Sequence, residues 1–315
     1  MTNMKNFSQK YPNLTAPMNV ESIMLKFGIT NNEARKYNYH DKSPFTYADA
    51  ASIIGHRNQM EDTYCLAKIS DGIDFYGVFD GHGGWKIASF LKSEFVKYFS
   101  DITNIDYKNK DEVRREIINI CWDVGKDIFD FPDCLDVGST AIFALKFGKH
   151  IYLGNIGDST AVIFDNKGNI NLKTQGHKPS DKNEANRVRK RGSEIYYDRV
   201  AGSLAVSRSF GDNSYNLDAD LNTYKGFKTV VSHKPSIYVF EIPEVSDNIK
   251  YYMVLGSDGL WDYCDFNNSS KSKFTFQQVI DTVSSMTPEE ASTELVSLAF
   301  NTGIYDNITA VVVNL

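Results

Sequence analysis

Four acidic residues stand where apolar strands should begin or end. The run Phe75-Tyr76-Gly77-Val78-Phe79 gives way to Asp80-Gly81-His82-Gly83-Gly84, and Tyr251-Tyr252-Met253-Val254-Leu255 passes through Gly256-Ser257 into Asp258-Gly259. A hairpin expected over 151–164 turns at Gly157-Asp158, and Asp306-Asn307 lead into the apolar run 308–313. Acids at the ends of core strands can converge at one edge of a sheet, where they repel unless cations neutralise them. Ligands that are all oxygen suit Mg2+ or Mn2+. A fifth acidic group, Glu61-Asp62, closely follows Arg57-Asn58-Gln59-Met60. A guanidinium beside such a site can clamp a phosphate with its fork of N–H donors. Taken singly, each feature has a plainer reading. An Asp-Gly pair after a strand is usually a turn. Arg57 beside Glu61 and Asp62 is equally an ordinary surface ion-pair cluster. The case for metal and phosphate rests on the set.

Those residues need a scaffold, and the patterning supplies one. Runs with strand character cover 50–54, 75–79, 140–145, 151–155, 161–164, 237–240, 251–255 and 308–313, most of them bounded by Gly or polar turns. Helical periodicity covers 85–99 and 112–130. A third helix starts at Thr287, with Pro288 in its first turn and Glu290 completing a capping box. Clusters of strands broken by pairs of long helices suggest sheets covered by helices. Residues 1–45 have a different texture, polar and Asn-rich. Asn19 can cap a turn closed by Gly28, and Thr30 to Glu33 have capping-box spacing. We read this stretch as an N-terminal arm packed on the main domain over 46–315, with a partner-docking segment as the alternative.

Composition narrows the classes. The chain has 315 residues, with Lys+Arg 34 against Asp+Glu 40 and a net charge of -6. That balance argues against nucleic acid as the main partner. No run approaches the roughly 18 apolar residues of a membrane helix, and residues 1–6 show no secretory leader. The 4 cysteines (Cys65, Cys121, Cys134, Cys264) are scattered, which suggests free thiols in a reducing compartment. The expectation is an intracellular monomer, in cytoplasm or nucleus.

The motifs, in order, are similar to those of the metal-dependent protein serine/threonine phosphatases of the 2C class. They are Arg57-Asn58-Gln59-Met60-Glu61-Asp62, Val78-Phe79-Asp80-Gly81-His82-Gly83-Gly84, Gly138-Ser139-Thr140-Ala141, Asn155-Ile156-Gly157-Asp158-Ser159 and His177-Lys178-Pro179. Gly202-Ser203-Leu204-Ala205-Val206-Ser207-Arg208 with Gly211-Asp212, Ser257-Asp258-Gly259-Leu260-Trp261-Asp262 and Asp306-Asn307-Ile308-Thr309 complete the series. Each is weak alone; together and in register they are specific.

The resemblance implies an α+β fold, a four-layer α-β-β-α sandwich of two stacked antiparallel sheets flanked by helix pairs. It implies two Mg2+ or Mn2+ ions, with room for a third, and phosphorylated proteins as substrates. On that basis Asp80 bridges the ions, the Gly81 carbonyl binds the first, and Asp258 and Asp306 bind the second. Glu61 reaches the pair through water, Asp62 orients water, and Asp158 shares a third ion with Asp258. Arg57 holds the substrate phosphate, and His82 protonates the leaving alkoxide. Water between two cations loses a proton near neutral pH and attacks phosphorus in line.

Rival chemistries lack their residues. No cysteine is followed at the sixth position by Arg, and no P-loop or zinc spacing occurs. Asp80-Gly81-His82 is not the D-x-D-x-T of an aspartyl-phosphate hydrolase. Three positions depart from the family pattern: Thr160 replaces an Arg, Gly176 an Asp, and Tyr305 an Arg or Gly. The stretch 213–231 matches the flap region poorly. Arg187-Val188-Arg189-Lys190-Arg191 reads either as a nuclear-targeting patch or as a helix face. A pseudophosphatase keeping the fold as a binding module is the alternative, though no expected carboxylate is missing.

Overall fold

Apolar strands buried on both faces form two inner layers. The computed structural model describes residues 14, 16–100, 102, 105–131, 135–216, 224–244, 248–267 and 273–315. Positions 1–6, Cys134 and flap residues 217–223 lie outside these. Ten strands build the layers: β1 (Ala48–Ile53), β2 (Thr63–Ser70), β3 (Ile73–Phe79), β4 (Ala141–Phe147), β5 (His150–Ile156), β6 (Thr160–Asp165), β7 (Ile170–Lys173), β8 (Ser236–Glu241), β9 (Tyr251–Gly256) and β10 (Ile308–Asn314). One sheet runs β1-β10-β9-β6-β7 and the other β8-β5-β4-β3-β2, each antiparallel throughout.

Eight helices accompany them among the described residues: α1 (Val20–Phe27), α2 (Asn31–Arg35), α3 (Lys86–Phe99), α4 (Lys110–Phe129), α5 (Lys182–Lys190), α6 (Asp258–Trp261), α7 (Phe276–Ser285) and α8 (Pro288–Phe300). The period-2 alternation of a strand decides what packs where. In β3, Phe75 and Phe79 join the cluster with α3 and α4, whereas Tyr76 and Val78 face the other sheet. In β10, Ala310 and Val312 pack with α7 and α8, whereas Val311 and Val313 turn to the intersheet core. The result is the expected four-layer α-β-β-α sandwich.

Two strands and two helices, α6 and α7, escaped the sequence reading. Strands β2 and β7 are sheet edges, half-buried and mostly exposed respectively, so neither carries a continuous apolar run. Helix α7 begins with a capping box between Thr275 and Gln278, a spacing present in the sequence and overlooked. The expected hairpin over 151–164 is corrected. Strand β5 pairs with β4 and β8 in one sheet, and β6 pairs with β9 and β7 in the other. Gly157-Asp158-Ser159 is therefore a crossover between sheets. Burial on both faces makes a crossover strand and a hairpin strand look alike in sequence.

The arm packs against the body through Val20, Ile23 and Ala34, which cluster with Ile54 and Met60. Asn19 caps α1, Gly28 closes it, and Thr30 with Glu33 forms the capping box of α2. Cys65, Cys121 and Cys264 are free thiols.

Two buried histidines make stability acid-sensitive. His233 stacks on Phe210, bonds Tyr224 Oη at 2.7 Å and is held by burial at a pKa of about 3. His177 accepts from the Gly157 N–H through Nδ1, and burial, with Arg208 adding to it, holds it at about 4. Both folded values lie below the unfolded 6.5, so the unfolded chain takes up protons first as pH falls. Stability is full above 6.5 and declines toward the folded values. Between pH 7 and pH 5 each His should cost about 2 kcal/mol. Thermal melts across that range check this; His233→Phe should flatten the slope, and an unchanged slope contradicts it.

Candidate metal centre and phosphate site

Three strand-end carboxylates meet at one end of the sandwich. Asp80 follows β3, Asp158 lies in the crossover between β5 and β6, and Asp258 opens α6 directly after β9. One carboxylate oxygen from each lies within 4.8 Å of the others. Asp306, expected among the ligands beside Asp80 and Asp258, sits at the border of this group. Its Oδ2 accepts from Arg57 Nη2 at 2.9 Å, while Arg57 Nε donates to the Tyr305 carbonyl at 3.0 Å.

Asp62 lies behind the trio, buried, its Oδ2 accepting from Thr309 Oγ1 at 2.7 Å. Thr309 Oγ1 in turn shares a hydrogen bond with Ser52 Oγ at 2.6 Å. Glu61 is half-buried at the rim, its backbone N–H donating to Asn307 Oδ1 at 2.8 Å. The Asn307 amide also donates to the carbonyls of Ile54 and Gln59, at 2.8 and 2.9 Å. One side chain thus ties the loop carrying Arg57 and Glu61 to the strand that follows Asp306. Gly259 lets α6 approach that strand, because a Cβ there would meet the Asn307 carbonyl oxygen at 1.9 Å.

The electrostatics fit divalent cations. Burial first, then the neighbouring carboxylates, pushes Asp80 and Asp258 well above the usual carboxylate range. Asp158 is raised by burial against the opposing pull of Lys178, Asp306 against that of Arg57. Glu61 is likewise raised by burial, and Asp62 is pushed up to about 7. Among the described residues no Lys or Arg forms an ion pair with Asp80 or Asp258. Carboxylates withdrawn from water without a cationic partner are costly, and a cluster of oxygen donors with that deficit suits Mg2+ or Mn2+. The backbone at Gly81 is buried beside the trio, paired through Ser139.

A three-stranded ribbon places His82. Gly81-His82 pairs with Gly138-Ser139 on one side, and Phe210-Gly211 pairs with it on the other. His82 and Asp212 consequently flank Gly138, and His82 Nε2 bonds Asp212 Oδ2 at 2.7 Å. A Cβ on Gly138 would lie 2.2 Å from that carboxylate oxygen and 2.4 Å from the imidazole nitrogen. Burial lowers the His82 pKa, the Asp212 carboxylate raises it, and the carboxylate wins. Asp212 stands in left-handed backbone at φ 51 and also accepts from Ser209 Oγ. Its part here was not recognised from sequence; the Gly211-Asp212 motif was visible, but nothing in it pointed back to His82.

Lys178 bonds Asp262 at 3.0 Å and lies 3.7 Å from Asp158. Thr160 supports the crossover, its hydroxyl donating to the Asp158 carbonyl at 3.3 Å and its carbonyl accepting from Trp261 Nε1 at 2.9 Å. In the basic run on α5 Arg187 is structural, whereas Arg189, Lys190 and Arg191 are exposed. Arg187 is bound to Glu184, Ser207, Thr229 and Val230, Arg189 pairs with Glu194, and Val188 is buried.

Glu184 is the hub of that region, also accepting from Arg208 at 2.6 Å and from Ser207 at 2.7 Å. Burial raises its pKa, but Arg208 and Arg187 outweigh it and hold the carboxyl at about 2. Glu184→Ala strands two guanidinium groups and should cost about 3–5 kcal/mol in denaturant unfolding. A loss below about 1 kcal/mol contradicts that assignment.

Comparisons with known proteins give the family and the fold. A family model described as protein phosphatase 2C matches residues 48–308. The rice protein named Probable protein phosphatase 2C 7 is 31% identical over 275 residues, covering 84% of this chain and 64% of its own. Human protein phosphatase 1B is 30% identical over 251 residues, covering 73% of this chain and 50% of its own. This chain therefore spans between half and two-thirds of those relatives. A solved Toxoplasma gondii phosphatase shares the fold with a TM-score of 0.68 at 19% identity, covering 85% of this chain and 92% of its own.

Proposed function

The chain belongs to the protein phosphatase 2C family, and from that premise we propose that it hydrolyses phosphoserine and phosphothreonine in proteins with two Mg2+ or Mn2+ ions. The observation that carries the reading is the convergence of Asp80, Asp158 and Asp258 within 4.8 Å, with Arg57 alongside. Asp80 would bridge the ions, with the Gly81 carbonyl on one and Asp258 and Asp306 on the other. Glu61 would reach them through water, and Asp158 with Asp258 would hold a third.

Ions held there would bring water to ionisation near neutral pH and offset charge on the phosphoryl oxygens. The protein's own groups do the rest. Asp62, fixed by Thr309, orients the attacking water. Arg57, with Nη1 making no hydrogen bond among the described residues, offers the donors of that nitrogen to the phosphate. His82, oriented by Asp212, whose carboxylate also favours the protonated ring, gives a proton to the departing seryl or threonyl oxygen.

The partner is phosphorylated protein, met by a monomer in cytoplasm or nucleus, with no nucleic acid or lipid in the reaction. No helix among the described residues is long and apolar enough to cross a membrane. The test is phosphopeptide hydrolysis with Mn2+, compared with a free sugar phosphate. Phosphopeptide turnover lost on chelation and restored by Mn2+ is expected. Turnover that survives chelation contradicts the metal mechanism, faster sugar phosphate contradicts the substrate class, and no turnover with metal in excess leaves the pseudophosphatase.

A further inference from the structure

Apart from a turn at Gly55-His56, the loop over 54–60, which carries Arg57, has no helix or strand of its own. Four of its carbonyls are held from outside. Asn307 takes those of Ile54 and Gln59. Arg35 takes the other two, its Nη1 donating to Gly55 O at 3.3 Å and to Arg57 O at 3.0 Å. Arg35 belongs to the arm, outside the family match at 48–308.

The arm is built to hold that guanidinium still. Asn31 Oδ1 accepts from Arg35 Nε at 2.8 Å, and the Arg35 carbonyl accepts from the Gly55 N–H at 3.0 Å. Beyond the loop, Asn38 Oδ1 accepts from Ser52 N at 2.9 Å, and Tyr39 N donates to Ser52 O at 2.8 Å. Apolar contacts close the joint, with Ile54 and Met60 on the two ends of the loop packed among Val20, Ile23 and Ala34.

We propose that the arm is a positioning element of the phosphate site, with Arg35 as the positioning residue that fixes the backbone of Arg57. The proposal rests on Arg57 being the phosphate clamp. A charged donor bridging two carbonyls of an irregular loop narrows the positions that the Arg57 side chain can start from. Such pre-organisation is felt as substrate affinity. Asn307 holds the ends of the loop, and Arg35 holds its middle.

A double-mutant cycle tests this on the full chain loaded with Mn2+, with p-nitrophenyl phosphate as substrate. Arg35→Ala should raise KM about tenfold with kcat within about threefold. In the Arg57→Ala background the same change should move KM less than about twofold, because the residue it positions is gone. Arg35→Lys should recover part of the loss. Equal KM effects in both backgrounds, or none in either, overturn the proposal. Amide hydrogen exchange without substrate supplies a readout independent of turnover. Residues 54–60 should exchange about tenfold faster in Arg35→Ala while β1 and β10 stay protected. Unchanged exchange in the loop also overturns it. An inactive wild-type chain would instead contradict the phosphatase reading, with exchange still deciding the role of Arg35.

Discussion

Asp80→Ala should lower kcat for a phosphopeptide by at least about 10³-fold, a loss of the size seen when a main electrostatic stabiliser is removed. Asp80 is the carboxylate from which two ions would be shared, so its removal dismantles both positions. The same change should leave the metal-free protein at least as stable as the parent. Asp80 is half-buried, carries no ion pair among the described residues, and is surrounded by Asp62, Asp258 and Asp158. Losing one acid among several relieves repulsion. Steady-state kinetics with Mn2+ and melts in chelator check the two halves together. A variant that keeps more than about a tenth of the parent kcat contradicts the metal assignment. A variant that is merely unfolded would show its failure in the melt.

His82→Gln separates proton donation from metal chemistry. On a phosphoserine peptide, kcat should fall by about 10²–10³-fold, the range of a positioned general acid. On p-nitrophenyl phosphate, whose phenolate leaves without a proton, the loss should stay within about threefold. Asp212→Asn should give a smaller loss with the same leaving-group dependence, since Asp212 orients the ring and holds its pKa up. Equal losses on both substrates would place His82 in binding or folding instead.

Much of the fold was legible because burial on both faces writes continuous apolar runs, as in β3, β9 and β10. Edge strands carry no such signal, and β7 with its exposed side chains is invisible to the same test. Helix caps were readable where Thr or Asn stands at a fixed offset from Glu, as at Thr30 and Thr287. The carboxylates at strand ends were readable one by one, as acids interrupting apolar runs. That they could meet followed from the set and from the family resemblance, but the route did not, because it depends on which sheet each strand joins, and the link through Asp158 is a crossover where a hairpin was expected. Partners distant in sequence were beyond reach altogether. The bond of His82 to Asp212 spans 130 positions and that of Arg57 to Asp306 spans 249. Arg35 belongs to this class too, since nothing local to it announces a loop that the fold brings alongside.

The claim on which the account depends is that clustered carboxylates from distant strand ends hold paired divalent ions. Electron paramagnetic resonance of the metal-free protein titrated with Mn2+ tests it most directly. Two ions per chain with the signature of a spin-coupled pair, absent in Asp80→Ala, is the predicted result. Isolated, uncoupled Mn2+ in the parent protein, or a coupled pair that persists without the Asp80 carboxylate, would contradict it.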